Sequence, residues 1–280
     1  MRDDPETLVS TEWLAAHLGD PDLKLVDASW YLPDADRDAR AEYEAGHIPG
    51  AVFLDIDAVS DTASDLPHMA PSPETFAEHI GAMGIGDGDR VVIYDGAGLF
   101  SAARGWWLFR LMGKRDVAVL DGGLPKWRAE GYPVEDMPPE ITQARFTADP
   151  DPSLVRDAGA ITTGTAQIVD ARAASRFRGE TSEPRPGLRA GHIPGARNLP
   201  FAQVLNPDGT MKGDDDLRAA FAGAGVDLER SIVTSCGSGV TAAILSLALA
   251  RVGHADWSLY DGSWAEWGAR EDLPIATGDA

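Results

Sequence analysis

The sequence predicts an α/β protein built twice over: two tandem duplicated domains, each a mostly parallel sheet flanked by helices. Three observations lead there. Short, β-branched-rich runs alternate with helix-length segments. The motif Gly-His-Ile-Pro-Gly-Ala stands at 46–51 and again at 191–196, and the landmarks around each copy follow in the same order. Strand–helix alternation is the signature of a parallel sheet covered by helices. An ordered set of repeated landmarks marks a duplicated unit.

Before each motif copy stands an apolar run ending in Asp-Ala, Leu25-Val26-Asp27-Ala28 and Ile168-Val169-Asp170-Ala171. After each comes another run, Arg90-Val91-Val92-Ile93-Tyr94-Asp95 and Ser231-Ile232-Val233-Thr234-Ser235-Cys236. Runs 91–94, 117–120, 168–169 and 232–234 are brief and bounded by turn residues, as buried parallel strands are. Segments 101–111 and 241–251 are long enough for helices, and each runs into a glycine, Gly113 or Gly253, a normal helix stop. Leu120-Asp121-Gly122-Gly123 with Trp127 then matches Tyr260-Asp261-Gly262-Ser263-Trp264 with Trp267. The histidines His47 and His192 lie 145 residues apart and the aspartates Asp121 and Asp261 lie 140 apart, a drift that loop insertions produce. The expected domains are 7–137 and 154–278. The stretch 138–153, dominated by proline and acid, is expected to be an extended tether.

Composition excludes several function classes. With 44% hydrophobic and 25% charged residues the 280-residue chain is an ordinary globular one, neither disordered nor fibrous. Twenty-four basic against 45 acidic side chains give a net charge of −21. A surface so negative repels phosphate backbones and anionic lipid, so neither nucleic acid nor a membrane is an expected partner. No apolar stretch is long enough to span a bilayer, and the start of the chain lacks a secretory pattern. The single cysteine, Cys236, rules out an internal disulfide and a four-thiolate metal site. The expectations are a cytoplasmic protein with no metal and no organic cofactor.

The two halves differ where a strand gives way to a helix. The first has Asp95-Gly96-Ala97-Gly98-Leu99-Phe100-Ser101, the second Cys236-Gly237-Ser238-Gly239-Val240-Thr241-Ala242. Open α/β sheets bind ligands at the carboxyl ends of their strands, at such a turn. Two glycines let the backbone curl so that successive N–H groups point at the sulfur, and the helix that follows adds its positive end. Such a nest holds negative charge and favours a thiolate. A cysteine, a five-residue loop and an arginine would suit phosphate-ester hydrolysis, but that arginine position is Ala242 and the loop contains no cation. A thiolate among neutral amides is better suited to carrying a sulfur-borne charge, a persulfide.

The paired Gly-His-Ile-Pro-Gly-Ala motifs, the Cys236–Ala242 loop and Tyr260-Asp261-Gly262-Ser263-Trp264-Ala265-Glu266-Trp267 together resemble the two-domain sulfurtransferases of the rhodanese superfamily, from about Leu8 to Pro274. The neutral Cys-Gly-Ser-Gly-Val-Thr loop is similar to that of the 3-mercaptopyruvate-using branch, whereas thiosulfate-preferring members carry Cys-Arg-Lys-Gly-Val-Thr. The resemblance implies tandem rhodanese-like domains and a sulfur relay. Cys236 takes sulfur from 3-mercaptopyruvate as a persulfide cradled by Gly237, Gly239, Val240 and Thr241. It then passes the sulfur to a thiol such as thioredoxin, or to cyanide, and pyruvate is released. Arg176-Phe177-Arg178-Gly179 and Glu183-Pro184-Arg185 match the family segment whose arginines grip the substrate carboxylate and ketone, which implies Arg176 and Arg185. Arg178 and Arg189 stay open as alternatives. The resemblance further implies a relay of Asp57, His68 and Ser238. One departure is Phe100, where some relatives carry tyrosine.

Residues present in both halves invite a structural reading. His47 and His192 recur in the half that lacks the nucleophile, so a hydrogen bond beside the Pro-Gly turn explains them. Trp127, Trp264 and Trp267 are expected in the core, and Trp30 near the site. Two other functions compete: thiosulfate as donor with cyanide as acceptor, and a non-catalytic sulfur-binding or interaction module.

Overall fold

The computed structural model describes residues 3–32 and 34–279. They form two compact units, each assembled from non-contiguous stretches. Unit 1 comprises 1–62, 70–151 and 207–211, and unit 2 comprises 63–69, 152–206 and 212–280. Each of the two half-sequences thus lends a short segment to the other's unit.

Unit 1 contains strands β1 (Leu8–Val9), β2 (Leu23–Asp27), β3 (Val52–Phe53), β4 (Arg90–Tyr94) and β5 (Val117–Leu120). Unit 2 contains β6 (Val155–Arg156), β7 (Gln167–Asp170), β8 (Arg197–Asn198), β9 (Ile232–Ser235) and β10 (Trp257–Tyr260). The first sheet runs β1-β5-β4-β2-β3, the second β6-β10-β9-β7-β8. Every pairing is parallel. The two orders are the same permutation, so the duplication read from the landmarks is a duplication of topology. In each sheet the strand leading into the Asp95 or Cys236 loop sits at the centre.

The central strands are short and apolar because both faces are covered. Val91, Val92, Ile93 and Tyr94 in β4 are buried, as are all four residues of β9. Helix Ala102–Leu111 covers the first sheet and helix Ala242–Arg251 the second, each buried along nearly its whole length. Trp127, Trp264 and Trp267 are core residues, as expected. Trp127 Nε1 donates to the Pro133 carbonyl and Trp267 Nε1 to the Pro274 carbonyl, both at 2.7 Å. An aromatic ring with a polar edge needs such a partner when buried, and both halves solve the problem with the carbonyl of a proline.

The histidines of the repeated motif do structural work. Nδ1 of His47 bonds the Tyr43 carbonyl and Nδ1 of His192 the Phe177 carbonyl, each at 2.8 Å. Their backbones form antiparallel bridges to Glu135 and Ala276 respectively. Of the stretch expected as a tether, residues 138–151 have no regular secondary structure and are laid along unit 1, and Pro152–Leu154 form a short 3-10 helix. Ala144 N bonds the Gly81 carbonyl, Asp149 N the Met112 carbonyl and Asp151 N the Leu111 carbonyl, while Phe146 packs edge-on against Phe76 and Phe109.

Candidate active site

The loop after β4 shows what this turn is built to hold. Asp95 is fully buried. Its Oδ1 accepts the Ala97 N–H at 2.8 Å, and its Oδ2 accepts those of Phe100, Ser101 and Ala102 at 2.7, 2.9 and 2.8 Å. Four backbone amides therefore converge on one negative group at the start of a helix, the arrangement that stabilises buried anions.

The loop after β9 is one residue shorter and places Cys236 where Asp95 stands. Both loops turn through a left-handed glycine, Gly98 at φ +114° and Gly239 at φ +79°. The backbone is pinned in the same way: Leu124 N donates to the Asp95 carbonyl and Trp264 N to the Cys236 carbonyl, both at 3.0 Å. Ala265 N adds a bond of 2.8 Å to the Gly237 carbonyl. A side chain of Asp95 is replaced by a thiol, while the strand, the glycine turn and the helix start remain. Cys236 is 2% exposed and Ser238 6%, so an anion formed there is shielded from water and depends on the protein's own dipoles.

Ser263 was not singled out from the sequence. Its Oγ accepts the Cys236 N–H at 3.1 Å and donates to the Tyr260 carbonyl at 2.8 Å. It adopts φ +48°, and the matching residue in unit 1, Gly123, has φ +53°. A Cβ on Gly123 would lie 2.5 Å from the Asp95 carbonyl oxygen, so glycine is required there. In unit 2 a serine accepts the left-handed strain, which costs roughly 1 kcal/mol or more, and fastens the nucleophile's own amide. The signal was present in the contrast between Asp-Gly-Gly and Asp-Gly-Ser.

The expected substrate arginines fall in unit 2 with the loop. Arg176 lies in the short helix Ala174–Phe177, and its Nη2 is 3.1 Å from the point where a Cβ on Gly237 would stand. Its guanidinium binds Glu183 through Nε at 3.3 Å and through Nη2 to Oε2. Glu183 in turn accepts Arg172 Nη1 at 2.8 Å, and Arg172 grips Asp170 through Nε and Nη2. Burial alone would depress the Arg172 pKa, but Asp170 and Glu183 more than offset it and hold the guanidinium charged. Arg172 also lies over the Trp264 ring at 4.4 Å. Neither Arg172 nor the role of Glu183 was visible from spacing alone.

Arg185 Nη2 bonds His68 Nε2 at 3.2 Å. A guanidinium can only donate, so His68 Nε2 is the acceptor in this arrangement. His68 has φ +60° and is brought into unit 2 by the segment 63–69. Asp57 belongs to unit 1, where its Oδ2 accepts Trp30 Nε1 at 3.0 Å. Trp30 stacks on Phe100 with ring centroids 6.4 Å apart. The alternative arginines are engaged elsewhere: Arg178 pairs with Glu180 at the surface, and Arg189 donates to the carbonyls of Gly268, Leu273 and Trp267.

The family model for the rhodanese-like domain matches residues 10–130 and 158–270. The chain is 46% identical over 272 residues to the 3-mercaptopyruvate sulfurtransferase of Escherichia coli strain K12, covering 95% of this chain and 96% of that protein. It is 43% identical over 295 residues to the mitochondrial thiosulfate/3-mercaptopyruvate sulfurtransferase 1 of Arabidopsis thaliana, covering 96% of this chain and 78% of that one. The crystal structure of SseA from Escherichia coli, described as a 3-mercaptopyruvate sulfotransferase with the rhodanese fold, superposes with a TM-score of 0.84 at 43% identity. It covers 92% of this chain and 98% of that one. With the sheet order, the strand-end loop and these likenesses in agreement, the chain belongs to the rhodanese-like domain family and carries two such domains in tandem.

Proposed function

We propose that this enzyme transfers the sulfur of 3-mercaptopyruvate through a Cys236 persulfide to a thiol or to cyanide, and releases pyruvate. The single observation that carries the reading is the duplicate. Where unit 1 places a carboxylate among converging amides, unit 2 places the chain's only cysteine. A turn whose four amides converge on one carboxyl is the right environment for Cys–S⁻ and for Cys–S–S⁻.

The chemistry balances without a cofactor. The Cys236 thiolate attacks the substrate sulfur, an S–S bond forms, and the carbon–sulfur bond breaks with its electron pair moving to carbon. The enolate of pyruvate is the leaving group. It takes up the proton that the substrate thiol carried, with Ser238 and His68 as the proposed conduit and Asp57 as the third member of that relay. The amides of 237–241 then hold the persulfide anion. Attack by an acceptor thiol, reduced thioredoxin being the proposed one, removes the outer sulfur and restores the thiolate. Arg176 and Arg185 hold the carboxylate and ketone of the donor, a task that suits a planar, bidentate cation. The lone cysteine favours a reducing compartment, and the cytoplasm is the proposed setting.

The test is a pair of steady-state assays, pyruvate from 3-mercaptopyruvate with a thiol acceptor and thiocyanate from thiosulfate with cyanide, repeated with Cys236→Ser. The reading expects a kcat/KM at least tenfold higher for mercaptopyruvate and no turnover in the variant. A preference for thiosulfate would assign the donor wrongly, and turnover in Cys236→Ser would overturn the persulfide.

A further inference from the structure

We propose that Glu183 is a positioning and donor-selecting residue: its buried carboxylate aims Arg176 at the Cys236 loop and cancels that arginine's charge, so that the site favours a donor with one negative charge over one with two. This rests on the reading of Arg176 as a substrate-binding residue.

Four charged side chains form an unbroken chain, Asp170, Arg172, Glu183 and Arg176. Two are cations and two anions, so the chain is neutral. Asp170, Arg172 and Glu183 have side chains no more than 4% exposed, whereas Arg176 is 26% exposed. The open end of the network is therefore the guanidinium beside Gly237. Its Nε and Nη2 are committed to Glu183, and among the described residues its Nη1 has no protein partner, which leaves one donor edge to meet a ligand. Glu183 cannot swing away, because Arg172 binds it from behind and is itself fixed by Asp170, by the Gly191 carbonyl at 2.8 Å and by the Trp264 ring.

Charge decides which donor gains. Out of water, an extra unit of ligand charge is worth a great deal beside an uncompensated guanidinium and little beside one that shares a buried carboxylate at hydrogen-bond distance. 3-Mercaptopyruvate carries one negative charge near neutrality; thiosulfate carries two. With Glu183 in place, Arg176 supplies directional hydrogen bonds to a carboxylate without rewarding the second charge. The discrimination thus comes from a residue behind the substrate-binding arginine as well as from the neutral loop.

The experiment compares wild type, Glu183→Gln and Glu183→Asp with both donors, and measures competitive inhibition by pyruvate and by sulfate. Glu183→Gln keeps an acceptor oxygen but removes the charge. The thiosulfate-to-mercaptopyruvate ratio of kcat/KM should rise about tenfold, and sulfate should inhibit better relative to pyruvate by a similar factor. The mercaptopyruvate KM should rise while kcat stays within about threefold, because the Cys236 loop is untouched. Glu183→Asp keeps the charge and should keep the wild-type ratio. A lowered Tm with unchanged ratios in Glu183→Gln would make Glu183 merely structural and overturn the proposal. If Glu183→Gln does not fold, Asp170→Asn/Arg172→Met/Glu183→Gln removes the three buried charges together, so that none is left unpaired, and the same ratio is read. Failure of wild type to consume mercaptopyruvate would instead overturn the proposed function, and the two inhibitors would still report the charge preference of the site.

Discussion

At the scale of single residues, the contrast between Asp95 and Cys236 explains most about the molecule. Asp95 accepts four backbone amide bonds, one through Oδ1 and three through Oδ2. Asp95→Ala should cost unit 1 about 3 kcal/mol, read as a fall in Tm, since buried charge-assisted bonds are strong and their donors are left unsatisfied. Asp27 gives a pH signature. Burial, opposed by bonds from Ser29 and Tyr94 and assisted by nearby Asp95, raises its pKa to about 6. A raised carboxylate pKa means a stabilising contribution that is full below the unfolded pKa of about 4 and is lost as pH rises through about 6. Relative to Asp27→Asn, the wild type should lose on the order of 2 kcal/mol between pH 4 and pH 7. Chemical unfolding of both proteins across that range checks it, and parallel curves would contradict it. Much of this scale was legible in the sequence: the lone cysteine and the replaced aspartate stood out by type and position, and the segment bearing both arginines stood out only through its resemblance to the family segment. Glu183, Arg172 and Ser263 did not, because their importance lies in which neighbour they hold, and a charged or hydroxyl residue in a polar loop reads as solvated surface.

At the scale of elements, each half offers a short central strand, a glycine turn and a helix. Gly239, at φ +79°, is the position where L side chains are strained. Gly239→Ala should lower stability by about 1–2 kcal/mol and should cut kcat more than it raises KM, because the proposed persulfide cradle is built on that turn. Serine at 263 fastens the Cys236 amide. Ser263→Gly removes the strain and the bond together, so stability should change little while kcat falls about tenfold. A loss of stability without a loss of kcat would contradict that assignment. Strands and helices were readable from apolar runs and glycine stops, since burial on both faces imposes them. The segments 63–69 and 207–211, each grouped with the unit of the other half, were not readable, because nothing periodic marks a loop that packs far from its own strand.

At the scale of the whole molecule, one parallel topology is used twice with different contents in the strand-end loop. One copy carries the Asp95 carboxyl and the other the Cys236 thiol. The fold class, its duplication and its family were accessible from the sequence because the landmarks repeat in order. The charge balance of the buried Asp170–Arg172–Glu183–Arg176 chain was not, because it depends on contacts between side chains up to eleven positions apart in sequence. The account's central claim is that the sulfur passes through Cys236. A single-turnover reaction of the enzyme with 3-mercaptopyruvate and no acceptor tests it most directly, with intact mass and peptide mapping read alongside pyruvate. The expected result is one pyruvate per chain and one added sulfur atom on the peptide containing Cys236, both abolished in Cys236→Ser. Pyruvate release without a mass gain, or a gain that persists in the variant, would contradict it.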